Sequence, residues 1–481
     1  MVRHLAPRAA LAPLAPFALA LALAACSTAP VGPDYRQPAE ALASQPAAAL
    51  PFAGAQAAPF SAEPLPQDWW RLWRAPVVDR LVEQALAHNT DVRQAVANLE
   101  RMQALEAEVG GATRPGIGLS GGPSYGHVSG LSLLQKDHVP PNAVHYGANA
   151  SLSYQVDWVG QIRRAIEAAE AGSAGAQAAV DLVRVNVAAA TARAYAQACT
   201  SGLRLQAAQK SVRLQREALG VTERLQQAGR AGSIDAARAR AQLQQLNAAL
   251  PPLQAERQGA LYRLATLTGA LPQDFPRDVA GCETPPQVAG AIPVGDGAAL
   301  LRRRPDVRQA ERALAEATAR IGVAVGELYP KVTLGLSAGS VGAASGFARS
   351  DTFSWSLGPL ISWTVPNTGV AQARIAQAEA STRAALARFD GTVLTALRET
   401  ETALTVYARE LDRHAALQAA RDDSASVAAQ ARQLYQNGKT GYLDALDAER
   451  VMAASDAALA ASDAQLADDQ VNVFLALGGG W

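Results

Sequence analysis

Net charge of either sign is missing. The 481 residues carry 43 basic and 43 acidic side chains, which removes the electrostatic case for a nucleic-acid partner. Long apolar runs are missing too. Beyond the first 25 residues, nothing approaches the roughly 18–20 consecutive apolar residues of a membrane helix, so any membrane crossing must be made with strands. Recognisable chemistry is absent: there is no Cys-x-x-Cys, no His-Glu-x-x-His, no phosphate-cradling glycine loop and no nucleophile elbow. No catalytic residue, no metal ligand and no cofactor is therefore expected. Proline is absent between Pro141 and Pro251 and again after Pro366. Those two stretches are rich in Ala, Gln, Arg, Glu and Leu, which favour helix.

What is present is a repeat. Residues 91–95 read DVRQA, and residues 306–310 read DVRQA again, an offset of 215. Further on the offset settles at 209: Tyr154, Val156 and Gly160 fall on Trp363, Val365 and Gly369, and Gly229, Gly232 and Asp235 fall on Gly438, Gly441 and Asp444. A unit of about two hundred residues is too large for a solenoid repeat. It marks a duplicated half, so function belongs to what two halves build together. The repeats are placed at 77–269 and 300–481, joined by a Pro/Gly-rich linker at 270–299.

Each half reads as helix, two strands, long helix, tight turn and helix. Val144, Tyr146, Ala148, Ala150, Leu152, Tyr154 and Val156 alternate with His145, Gly147, Asn149, Ser151, Ser153, Gln155 and Asp157. Period two gives one apolar and one polar face. Strands are expected at about 115–128 and 144–157, and at about 331–341 and 352–365, the last with a phase shift near Pro359. Phe389, Val393, Leu397, Leu404, Tyr407 and Leu411 form the stripe of an amphipathic helix. Residues 370–437 as one helix would be roughly 100 Å long, which suits a tube or a coiled coil. Pro251 and Pro252 should bend the first half where Ala460 and Ala461 leave the second straight.

Both long helices end in one kind of turn, AGRAGSID at 228–235 and NGKTGYLD at 437–444. Gly229 and Gly438 suit the left-handed position that closes a helix. Asp235, Asp444 and Asp447 lie in the first turn of the returning helices, where an aspartate favours the helix dipole. Asp444 and Asp447, three apart, share a helical face, and a threefold axis would gather such carboxylates into a cation-favouring ring. Both readings stand at this point.

The first 25 residues read as a secretory signal: Arg3 and Arg8, an Ala/Leu-rich stretch, then Leu23, Ala24, Ala25 and Cys26. The ending resembles the lipobox of bacterial lipoproteins, which implies a covalent lipid on Cys26. Ser27 at the next position resembles lipoproteins sent to the outer membrane. The segment 26–76 then follows as a lipid-anchored arm. Cys199, in a helical pattern, and Cys282, in the linker, are expected to be separate buried thiols. His127, His138 and His145 are expected to be solvated loop histidines, and Arg302, Arg303 and Arg304 a solvated or salt-bridged helix start.

In hydrocarbon a sheet must close, and outer-membrane barrels begin at about eight strands. Four strands cannot close alone, so several chains must share one barrel, and three would supply twelve strands. On these residues the sequence resembles the outer-membrane efflux family of TolC-like channels, and most closely its NodT-type lipoprotein branch serving resistance-nodulation-division pumps. The resemblance covers nearly the whole mature chain. It rests on CSTAPVGPDYRQP at 26–38, on Trp69 and Trp70, on VVDRLVEQALAHNTDVRQA at 77–95, and above all on LLRRRPDVRQAERALAEATARIGV at 300–323.

It implies a mainly helical fold with a membrane β-barrel contribution: a homotrimer with a 12-stranded barrel on a 12-helix periplasmic tunnel. It further implies outer-membrane lipid around the barrel, a periplasmic adaptor at the tunnel tip and an inner-membrane pump beyond it. By motif position, Asp235, Asp444 and Asp447 would narrow the aperture, and Gly229, Gly232, Gly438 and Gly441 would mark the adaptor-docking turns. A type I secretion conduit shares this fold and stays open as an alternative. A periplasmic coiled-coil adaptor would lack two barrel-type hairpins at matching places.

Overall fold

The computed structural model describes residues 29–55, 59–288, 290–347, 349–363 and 368–479. The signal segment, Cys26 and Val365 lie outside these residues. In chain order the elements are β1 (Phe60–Ser61), α1 (Pro76–His88), α2 (Thr90–Gly111), β2 (Gly116–Gly126), β3 (Ala143–Val156), α3 (Gln161–Gln227), α4 (Ser233–Ala248), α5 (Leu250–Leu267), β4 (Ile292–Pro293), α6 (Gly297–Arg303), α7 (Pro305–Gly326), β5 (Lys331–Ala343), β6 (Phe353–Ser362), α8 (Thr368–Gln436) and α9 (Tyr442–Ala476). Two compact units result. One takes the chain up to Arg36, Arg101–Ala174 and Arg312–Leu386; the other takes Gln37–Glu100, Gly175–Glu311 and the chain from Ala387 onward.

The first unit holds the sheet. Its order is β2-β3-β5-β6, antiparallel throughout. The expected alternation is observed: Ile117 faces Leu152, Leu152 faces Leu336, and Leu336 faces Leu357, all on one side. The phase shift expected near Pro359 does not occur. The β5–β6 register runs unbroken from Lys331 opposite Ser362 to Ser340 opposite Phe353, with Pro359 opposite Leu334. Phe353, Trp355, Leu357 and Ile361 therefore share one face without interruption. An edge strand tolerates proline, because the missing N–H need not break the inner ladder.

The second unit is helical. Phe389, Val393, Leu404 and Tyr407 of the α8 stripe are buried, and Leu397 and Leu411 are partly so. Trp69 stacks on Phe474 at 4.4 Å between ring centroids, and its indole N–H donates to the Gly479 carbonyl at 3.1 Å. The first-half helix breaks between α4 and α5 beside Pro251 and Pro252, while α9 runs unbroken for 35 residues. Proline lacks the N–H and clashes with the preceding turn, so the asymmetry is the one the sequence predicts.

A polar ladder fastens α8 to α9. Arg421 donates to Asp456 at 2.9 Å, His414 meets Asp463 at 2.8 Å, and Gln470 donates to the Tyr407 hydroxyl at 3.1 Å. Both sides of the ladder advance by seven residues, the heptad spacing of a coiled-coil seam.

The duplication extends to single hydrogen bonds. Asn89 donates through its side-chain amide to the Leu267 carbonyl at 3.1 Å, and Arg304, 215 residues on, donates to the Ala476 carbonyl at 2.9 Å. Gly269 and Gly478 end the returning helices at φ +78° and +66°. At each, an added Cβ would approach the facing segment to 2.8 Å, at His88 and Arg304 respectively. The arginine cluster divides accordingly. Arg302 is exposed, Arg303 caps the Leu477 carbonyl, and Arg304 is buried with ion pairs to Asp306 and Glu399.

One expectation is overturned. Cys199 and Cys282 form a disulfide, with Cα atoms 4.6 Å apart. The reason is the path of the linker, which runs directly against α3: an added Cβ on Gly202 would lie 2.1 Å from the Cys282 carbonyl oxygen. Residue spacing carries no information about that path.

Candidate pore aperture and membrane sheet

The two tip turns are built alike. Gly229 and Gly438 adopt φ +70° and +71°. The Arg230 N–H donates back to the Leu225 carbonyl and the Gly229 N–H to Gln226; Lys439 and Gly438 repeat this on Leu434 and Tyr435. These are paired Schellman closures, in which only glycine avoids a Cβ penalty. Gly232 and Gly441 are the N-caps of α4 and α9. The Arg230 guanidinium comes within 3.2 Å of where a Cβ on Gly438 would sit, so the protomer brings both turns together.

The aspartates lie in the first turns of the returning helices. The Asp235 carboxylate accepts the Gly232 N–H at 3.3 Å and has Arg238 at 3.9 Å. Asp444 accepts the Thr440 hydroxyl at 2.6 Å. Asp444 and Asp447 are exposed on the first turns of α9, while Asp235 is half-buried. Asp235 and Asp444 therefore hold local capping contacts, and Asp444 and Asp447 are exposed at the tip together with the basic Arg230 and Lys439.

Sequence reasoning missed what packs just above. Ala239, Tyr442 and Leu446 form a buried cluster with Leu219 and Tyr435 against it. Tyr435 and Tyr442 lie 5.6 Å apart, and Thr222 and Tyr435 share a hydroxyl contact at 3.3 Å. Arg450 donates to Gln242 at 2.9 Å. Burial pushes the Tyr442 phenol up to about 12, with Gln215 near its hydroxyl opposing the rise. The signal available was the tyrosine directly after Gly441. The first turn has Ser233 there, so only one hairpin brings a ring to the seam.

The sheet unit presents a second functional surface. Ile117, Tyr125, Trp355 and Leu357 are 77%, 75%, 76% and 71% exposed. A continuous apolar face of this kind marks contact with lipid or protein. The opposite face carries Gly118, Ser120, Gly147, Asn149, Ser151, Ser337, Ser354 and Ser356, with Val341 and Leu360 as apolar exceptions. Strands β2 and β6 are the edges, each with one side unpaired in the sheet order. Among the described residues no helix is long and apolar enough to cross a membrane, and no group of three His, Cys, Asp or Glu side chains could hold a metal ion. Cys26 cannot be placed, since it lies outside the described residues.

Comparison with known proteins is consistent across sequence and structure. The family model described as outer membrane efflux protein matches residues 81–270 and 298–479. The chain is 28% identical over 417 residues to nodulation protein T of Rhizobium leguminosarum bv. trifolii, covering 86% of this chain and 88% of that protein. It is 28% identical to the solvent efflux pump outer membrane protein SrpC of Pseudomonas putida, covering 97% of each. Among solved structures, the outer-membrane channel OprN superposes with a TM-score of 0.87 at 34% identity, covering 94% of this chain and 99% of that one.

Proposed function

The chain belongs to the outer membrane efflux protein family, and from that premise we propose that it is one of three subunits forming the exit duct of a tripartite efflux system. It is an efflux channel component of the outer membrane and acts as a passive conduit. The observation that carries the trimer is the open four-stranded sheet, with one apolar face and two unpaired edges. In hydrocarbon an unpaired edge leaves backbone N–H and C=O groups without partners. Edge β6 of one protomer meeting edge β2 of the next removes both, and three copies close twelve strands. The apolar face then meets lipid, and the Gly/Ser face meets a wet lumen wide enough for cargo.

The tip turns are the adaptor-docking elements, with Gly229, Gly232, Gly438 and Gly441 holding their shape. Asp444 and Asp447 of three protomers line the aperture, with Asp235 beside them. The inner-membrane partner is a resistance-nodulation-division pump, and Cys26 carries the lipid anchor. Cargo is selected upstream, in keeping with relatives named for nodulation in one case and solvent efflux in another. The test is planar-bilayer conductance of the detergent-extracted protein with oligomer mass measured on the same sample. A trimer with small cation-selective openings supports the reading. A monomer without conductance overturns it.

A further inference from the structure

The N-terminal arm is clamped at one place in the sheet unit. The Val31 N–H donates to the Val159 carbonyl at 2.9 Å, just beyond the end of β3. Arg164, on the first turn of α3, is 2% exposed. Its guanidinium donates to the carbonyls of Val31 at 3.0 Å, Gly32 at 3.1 Å and Pro30 at 3.4 Å, and to Asp34 and Glu167 at 2.7 Å each. Arg312 of α7 lies over the Tyr35 ring at 5.9 Å.

Three glycines make room. An added Cβ on Gly160 would come within 2.6 Å of Pro30, one on Gly322 within 2.6 Å of the Val31 oxygen, and one on Gly32 within 2.5 Å of Gly322. Gly160 and Gly32 also hold φ +78° and +84°. The arm thus lies between α3, which leaves β3, and α7, which leads into β5.

The duplication supplies a control within the same chain. The residues matching Gly322, Gly160 and Arg164 in the other half are Ala107, Gly369 and Ala373. Ala107 and Ala373 are exposed, and a Cβ on Gly369 would meet nothing within 4 Å. The halves differ where the arm lies, so this groove is built for the arm and is no by-product of the repeat.

We propose that residues 30–35 form a strap that holds the lipid-bearing Cys26 beside the base of β3 and β5, with Arg164 as its positioning residue. This rests on the lipid reading of Cys26 given above. Three residues separate Cys26 from Pro30, and the four steps between them span at most about 14 Å. The acyl chains are thereby confined to the periplasmic leaflet at the foot of the two central strands, on a leash too short to reach another position.

The test uses the full acylated protein in lipid nanodiscs, spin-labelled at A29C and K331C and diluted with unlabelled protein. The only other thiols are occupied, Cys199 and Cys282 by their disulfide and Cys26 by lipid. The parent should show one narrow distance. With Arg164→Gln, or with Gly322→Ala, which blocks the strap from the other side, residue 29 becomes the end of a free tether. The distribution should then spread over about 15 Å, while trimer mass and conductance stay as in the parent. Arg164→Lys should restore little, because an ammonium cannot span three carbonyls and a carboxylate as a guanidinium fork does.

The mass of the N-terminal peptide separates the two ideas. No acyl mass on Cys26 sinks the lipid reading and the strap's role with it. Acyl mass present with an unchanged narrow distance in both variants leaves the lipid reading standing and overturns the strap.

Discussion

Removing the Cys199–Cys282 bridge should free the linker without opening the channel. The bridge spans a sequence separation of 83 residues. In the chain-entropy account, closing a loop of that length costs the unfolded chain about 4.5 kcal/mol of freedom, which is lost on reduction. The structure directs where that loss is felt. Cys199 lies in the middle of α3, held by packing along its length, whereas Cys282 lies in a linker that, among the described residues, carries only one short 3-10 turn, Pro272–Asp274, before β4. Other contacts there include Arg257 with the carbonyls of Ala280 and Cys282, Arg80 with Asp278, Gln206 with Glu283, and Val279 buried beside Leu261 and Leu264. Hydrogen exchange on Cys199→Ser/Cys282→Ser should therefore speed up most from Gly281 to Gln287, and less from Leu271 to Ala280, which Val279 and Asp278 still hold. Amides of α3 and of the tip should exchange as in the parent, and single-channel conductance should be unchanged. Free thiols titrating in the unreduced native protein would refute the bridge. Unchanged linker exchange in the variant would refute the tether argument even with the bridge present.

Three further outcomes follow from the helical unit. Replacing Asp444 and Asp447 together with Ala should raise single-channel conductance and weaken block by multivalent cations; unchanged values of both would remove the carboxylate ring. At Tyr442, the ring is buried and its hydroxyl has only a weak contact to Gln215. Tyr442→Phe should thus be neutral or slightly stabilising, while Tyr442→Ala should cost about 3–5 kcal/mol and raise the open fraction of the channel in bilayers. Burial pushes the Asp469 carboxyl up, with Gln465 opposing and Glu410 and Asp468 adding to the rise. A folded-state pKa above the unfolded one means that stability declines as pH rises through that window. Asp469→Asn should therefore raise Tm at pH 7, with the gain vanishing below the ordinary carboxylate range. A constant gain across pH would point to packing instead of charge.

Much of the candidate site was legible because it is local. Left-handed glycines close helices wherever they occur, so the tip turns at Gly229 and Gly438 could be read without knowing their neighbours. Strict alternation around Leu152 and Leu336 revealed the sheet faces, since the side-chain period of a strand is two whatever it pairs with. The misread step at Pro359 came from treating proline as a break in phase, where an edge strand simply absorbs it.

The partners of buried polar groups were not legible. Arg164 and the carbonyls it binds are about 130 residues apart, Tyr195 and Cys282 are 87 apart, and His414 and Asp463 are 49 apart. No periodic rule links such positions, because the pairing depends on which surfaces meet after the helices have formed. The sequence by itself determined the duplicated half, the strand faces, the long helices and their turns, all set by backbone preference and by one-dimensional apolar spacing. Only the tertiary structure decided the disulfide, the ladder between α8 and α9, the tyrosine at the tip seam and the strap under Arg164. Each of those needs two distant segments to arrive within hydrogen-bond or covalent reach, and only packing in three dimensions settles that.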